Sequence, residues 1–145
     1  MDELITKDAI GELKMVMETL PAVSCPLKHD FTPGMYIREI TMPAGTCVIS
    51  KQHLTTHPYV ILEGVLAVYN TEDHFLGYLY PGIRGVTKPG TVRLLKIIET
   101  TRWVTFHALD FITGEENGWD EVKKQDLVER IELLLVGETV DLKYT

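Results

Sequence analysis

The densest chemistry in the chain lies in Lys51-Gln52-His53-Leu54-Thr55-Thr56-His57. On an extended strand alternate residues share a face, so Lys51, His53, Thr55 and His57 would point together. Two neutral imidazoles side by side suit Zn, Fe, Ni or Cu, whereas an all-oxygen Ca or Mg site is disfavoured. A metal needs a third ligand. His107 is the best candidate by residue type, while Glu63, beside Gly64, is expected to face outward. Two readings stay open at this point. Either a divalent transition metal (Zn, Fe or Ni) is held by His53, His57 and His107, or hydrogen-bonded histidines line a polar mouth without one.

Arg93 is the second centre of interest. Alternation sets it with Leu95 and Ile97, so a permanent charge joins an apolar face and enters the interior. A guanidinium there must pair with an internal Glu or Asp, or offer its planar donors to a ligand carboxylate or phosphate. The expected site is therefore a cavity entered by His53, His57 and Arg93, with Lys51 and Tyr59 near its rim. Its ligand would be a small, anionic molecule. His29 and His74 lie in polar, loop-like surroundings and are expected at the surface.

Other chemistries are not encoded. The chain has no phosphate-cradling glycine loop, no GxSxG, no HExxH and no CxxC pair. Gly82-Ile83-Arg84-Gly85 reads as a turn, and Ser24 and Ser50 have no triad setting, so nucleophilic hydrolysis is not expected. With 14 basic and 21 acidic residues the formal charge is −7, and Lys123-Lys124 is the one adjacent basic pair. Nucleic-acid binding usually needs a basic face, so no nucleic-acid partner is expected. A single inward Arg, by contrast, can bind a small anion whatever the net charge.

No run approaches the roughly 18 apolar residues of a membrane span, and the acidic start Met1-Asp2-Glu3-Leu4 is unlike a secretory leader. Cys25 and Cys47 are far apart in sequence and read as reduced thiols. Together these features imply a cytoplasmic protein with no membrane partner.

The elements that position these groups follow from the spacing of apolar residues and turn formers. A helix is expected over about 6–20, capped by Thr6 and carrying Ile10, Leu13, Met17 and Leu20 before Pro21. From about Met35 to His107 the pattern becomes β. Met35–Met42, Cys47–Ile49, Tyr59–Leu62, Val65–Tyr69, Phe75–Tyr80, Thr91–Ile98 and Trp103–His107 are separated by turns at Pro43-Ala44-Gly45, Pro81-Gly82 and Pro89-Gly90. A second helix is expected over about 120–136, capped by Asp120, with Val122, Leu127, Ile131, Leu134 and Leu135 as its apolar stripe. The fold class is mainly β: one domain over 1–145, a small antiparallel barrel, closed or nearly so, with flanking helices.

Pro43-Ala44-Gly45, the His53/His57 patch and Leu62-Glu63-Gly64 resemble the first motif of the cupin superfamily, a jelly-roll barrel family. Counting back from Gly64 puts His57 at that motif's Glu position, His53 at its second His and Lys51 at its first. Lys88-Pro89-Gly90-Thr91-Val92-Arg93 resembles the second motif, with Arg93 where a histidine is usual. The resemblance thus places a cation at two of four ligand positions, which opposes a bound divalent metal. Leu20-Pro21, Cys25-Pro26, Gly34 to Glu39 and Trp103 to His107 extend the likeness to small cupin-like proteins of tailed bacteriophages, whose function is not established. The likeness implies a phage accessory protein that captures a small molecule without catalysis, acting in the host cytoplasm. Its alternatives are a metal-dependent isomerase or oxygenase, and a partner-binding scaffold. Two apolar helix stripes on so small a barrel further imply a homo-oligomer, most simply a homodimer.

Overall fold

The computed structural model describes residues 16–17, 19–70, 72, 74–136 and 142–144. In chain order the strands are β1 (Leu27–Thr32), β2 (Met35–Met42), β3 (Cys47–Ile49), β4 (His57–Tyr69), β5 (Phe75–Leu79), β6 (Arg84–Thr87) and β7 (Leu94–Ala108). Helix α1 (Glu121–Leu135) and β8 (Leu142–Tyr144) follow.

Two long strands form the spine. β4 and β7 pair antiparallel from Tyr59↔Thr105 to Tyr69↔Leu94. The first part of β7 also pairs with β3 and its second part with β2, so one strand serves both halves of the fold. β1 extends β2, β6 and β5 extend opposite ends of β4, and β8 extends β3. The architecture is mainly antiparallel β, as the turn spacing implies. The ladder does not close among the described residues, because β1, β5, β6 and β8 each pair with one strand only. The expected fold class, a small antiparallel jelly-roll barrel closed or nearly so, is met, with the sheet left open among the described residues.

Pairing in β4 is irregular, its register to β7 shifting between Ile61 and Leu66. Gly64 sits there at φ +94°, and a Cβ would collide with the Thr100 carbonyl and with Thr101. Only glycine meets both demands. Ile61, Leu66, Val68, Leu95, Ile97 and Trp103 then close on Ile40, Met42 and Val48 as the main core.

Helix α1 is capped by the Asp120 side chain, which accepts from the Lys123 N–H at 2.8 Å. It buries Leu127, Val128, Ile131 and Leu135 against Phe31, Tyr36 and Ile112. Val122 and Leu134, expected in the stripe, are 79% and 55% exposed, so the buried strip is shifted toward Val128. This face is consumed by its own sheet, which removes one of the two stripes that implied a second copy. Of the expected N-terminal helix, residues 6–15 and 18 lie outside the described residues. Val16–Met17 is helical, and Met17 is buried against Ile49 and Leu94.

Several boundaries differ from the pattern reading. β4 runs unbroken through Glu63-Gly64, β7 is one strand, and Arg84-Gly85 opens β6 instead of closing a turn. No disulfide joins Cys25 and Cys47. Among the described residues no helix is long and apolar enough to cross a membrane.

Candidate functional site

Alternation on the paired strands builds the floor of one cavity of about 100 Å³. Tyr36, Arg38 and Ile40 of β2 stand opposite His107, Thr105 and Trp103 of β7. These six residues share the inward face. Met42, Val48 and Leu95 continue it as an apolar wall, while Glu132, Leu135 and Val136 from the end of α1 close the opposite side.

Lys51, His53, His57 and Arg93 all line this cavity. They do not reach it as one strand face. Residues 51–56 are outside any strand and are held by main-chain bonds on two sides. The Ser50 N–H donates to the Arg93 carbonyl (2.9 Å), His53 N–H to Thr91 O (3.2 Å) and Gly90 N–H to His53 O (2.7 Å). Leu54 N–H donates to Leu135 O (2.8 Å), and His53 forms an isolated bridge with Val136. The segment is thus stitched between the 90–93 loop and the end of α1. Tyr59, expected at the rim, stands behind Arg93 and does not line the cavity. It stacks on Trp103 with centroids 4.7 Å apart.

Arg93 is half-buried, with its Cζ 5.3 Å from the Tyr59 ring centroid and 5.8 Å from that of Trp103. Its Nη1 donates to Thr87 Oγ1 at 3.1 Å. Among the described residues no carboxylate lies within ion-pair distance of it, so the internal ion pair weighed above is not formed. The aromatic rings and one hydroxyl position the guanidinium and leave most of its five donors unused.

Two further cations face the same space. Arg38 Nε lies 3.8 Å from Glu132 Oε1, and Lys51 Nζ lies 3.5 Å from Glu132 Oε2. Three cations therefore line one cavity, two of them beside Glu132, inside a protein of formal charge −7. Arg38 and Glu132 were not singled out from sequence. Arg38 carries a usable signal, since it has the same parity as Tyr36 and Ile40. Glu132 has none, because only the docking of α1 brings it here.

The histidines form a file. His53 and His57 have ring centroids 5.0 Å apart, His57 and His107 4.4 Å, and His107 and Tyr36 5.7 Å. Desolvation, then the neighbouring His57, Arg38 and His53, lower the His107 pKa to about 3. His57 is lowered too, by desolvation first, against a hydrogen bond to the Thr55 backbone that raises it. Both rings are therefore neutral at pH 7. Buried His57 Nε2 and His107 Nδ1 have no hydrogen-bond partner among the described residues. His29, expected at the surface, is half-buried with Nδ1 2.6 Å from the Tyr36 hydroxyl, whereas His74 is exposed.

These residues do not fit a resident transition metal. Among the described residues no three His, Cys, Asp or Glu side chains are placed to hold an ion. His107 spends Nε2 on Thr105 Oγ1 at 2.9 Å, and Arg38, Lys51 and Arg93 surround the pair. The site instead combines a cationic pole, two neutral imidazoles and an apolar wall.

Searches of family models and of curated proteins returned no match to this chain. Solved structures do resemble it. A conserved Klebsiella pneumoniae protein with a double-stranded β-helix domain is 13% identical over 66% of this chain and 88% of its own, with a TM-score of 0.50. A cupin-2 domain protein from Shewanella frigidimarina is 12% identical over 67% and 91%, at 0.45. Ectoine synthase from P. lautus is 15% identical over 67% and 74%, at 0.48. The fold is the double-stranded β-helix.

Proposed function

We propose that the protein captures a small organic anion in this cavity, with the Arg93 guanidinium as the anchor for its carboxylate. The observation that carries the reading is Arg93 itself, held by Tyr59, Trp103 and Thr87 with no carboxylate among the described residues to answer its charge. A charge taken partly out of water without a counter-ion is costly, and a bound anion supplies the missing partner. Arg38 lines the same cavity as Arg93, and concentrated positive field draws anions to a site. A cavity of about 100 Å³ holds about three waters at their liquid share of about 30 Å³, which suits the carboxylate end of a short-chain acid. The groups present bind and orient, so the role is capture without turnover, which also suits the likeness to small phage-encoded proteins.

Mass spectrometry of small molecules released by denaturing the purified protein tests this. An organic acid is expected from wild type and not from Arg93→Gln. The same molecule from both, or a wild-type protein that releases none and responds to none of a panel of short-chain carboxylates, overturns it.

A further inference from the structure

Among the described residues β1, β5 and β6 each pair with one strand only. Sheet edges of this kind are guarded by charge, by a bulge or by a cover. β1 contains Lys28 and Asp30, and the Asn117 amide bonds the Phe31 main chain. β6 contains Arg84. β5, Phe75-Leu76-Gly77-Tyr78-Leu79, has no charged residue. Its main chain is guarded by a bulge instead: Tyr69 pairs with Phe75 and Val68 with Gly77, which leaves Leu76 extra and Gly77 at φ +145°. Its side chains have no such guard.

Those side chains form a row on the outer face of the sheet, away from the cavity. Leu79 packs on the main core, so Tyr78 and Tyr80 point the other way. Phe75 joins them, its ring 5.0 Å from Tyr78 and 5.6 Å from Tyr69, both in edge-to-face contact. On β7 Ile97 is in the core and Ile98 faces out, while Lys96 Nζ lies 5.0 Å from the Tyr69 ring centroid. Phe75, Leu76, Tyr78, Tyr80 and Ile98 are 50% to 62% exposed. At about 100 Å² each, half the surface of a large side chain, they offer roughly 500 Å² of apolar surface, which is near the upper end of what a lone domain shows.

We infer that this face is the contact between two copies of the chain, packed about a two-fold axis through the β5 row. The inference goes beyond the anion reading and does not depend on it. Two such patches facing each other remove about 1,000 Å² in total, the area at which a specific interface begins. In a two-fold contact the same patch meets itself, so like charges on it would oppose each other. At a formal charge of −7 two copies repel, and a strand without charge is where they can approach. The edge-to-face pairing within the row is also a geometry that a second aromatic row can continue. The exposed Leu133 and Leu134 of α1 meet the charge condition less well, because Glu129 and Arg130 lie one turn from Leu133 and Glu132 adjoins it.

Sedimentation equilibrium of the full chain at micromolar concentrations tests this. Wild type is expected at twice the 16.4 kDa chain mass. Phe75→Ser combined with Tyr78→Ser should weaken the dimer on the order of tenfold or more, whereas Leu133→Ser should dimerise as wild type does. Urea unfolding checks that each variant is folded. If the double variant is not, Tyr78→Lys, which sets like charges across the axis, gives the same reading. A wild-type mass of one chain throughout the range overturns the inference, as does a dimer that survives the β5 substitutions or is lost in Leu133→Ser. Open-ended aggregation in place of a discrete doubled mass also overturns it.

Discussion

Lowering the pH should destabilise this protein through His107 before its carboxylates titrate. The His107 pKa falls from 6.5 to about 3 on folding because burial and the nearby His57, Arg38 and His53 disfavour the imidazolium. The unfolded chain takes up a proton as pH drops through 6.5, and the folded chain resists until about 3. More protons on the unfolded state means that stability falls with falling pH across that window. Between about pH 7.5 and pH 5 a single such histidine removes about 2 kcal/mol. His57 and His29, also lowered chiefly by desolvation, act in the same direction. Glu39, lowered by its hydrogen bond to Arg102, contributes stability that is lost only as pH falls below 4.5, so the window above that isolates the histidines. Urea unfolding followed by tryptophan fluorescence at half-unit steps from pH 7.5 to pH 5 measures the slope. Each proton is worth about 1.4 kcal/mol per pH unit at its limit, and His107→Phe should flatten the profile by about one proton. Comparing slopes instead of absolute stabilities removes the packing effect of the new ring. A wild-type profile that is flat, or a variant as steep as wild type, refutes the assignment of a neutral, buried His107.

Three further outcomes are expected. Arg93→Met should be at least as stable as wild type in urea while losing anion binding, since it removes an unanswered charge; a loss above about 2 kcal/mol would make Arg93 a structural residue. Glu132→Gln should tighten hexanoate binding several-fold, and more so at low salt, because it removes a negative charge beside Arg38 and Lys51 at the cavity; unchanged calorimetric affinity at low salt counts against the field argument. Gly64→Ala should cost about 2 kcal/mol or more, from left-handed strain plus the collision with Thr100 and Thr101; a variant with an unaltered urea midpoint would mean that the β4 irregularity is not demanded by glycine.

Much of the site is legible in the sequence, and its limits are physical. Parity along a strand is a local property, which is why Arg93 with Leu95, and Tyr36 with Arg38 and Ile40, can be set on inward faces without a structure. Lys51 and His53 reach the same cavity by main-chain bonds to Thr91, Gly90 and Leu135, and such bonds leave no mark on side-chain pattern. Glu132 and Leu135 depend on where α1 docks. That docking uses a narrow strip of Leu127, Val128, Ile131 and Leu135 chosen by Phe31 and Tyr36, not by helix amphipathicity alone. β1 is the element least visible in advance. Leu27–Thr32 is an edge strand with weak alternation, secured by β2 on one side and by the Asn117 amide on the Phe31 main chain (3.1 and 2.8 Å). The barrel class is legible while its degree of closure is not: strand count is readable from turns, whereas closure depends on pairing between strands distant in the chain.

The central claim is that an organic anion seats on the Arg93 guanidinium. The most direct measurement is the Nε–H resonance of Arg93 in protein labelled with 15N-arginine, assigned by its absence in Arg93→Gln, during titration with hexanoate and with hexanamide. Saturable movement with hexanoate and none with hexanamide is predicted, with hexanoate affinity falling on the order of tenfold to a hundredfold in Arg93→Gln, as expected for losing one charged hydrogen bond. An Arg93 signal that stays fixed while hexanoate binds elsewhere would contradict the account.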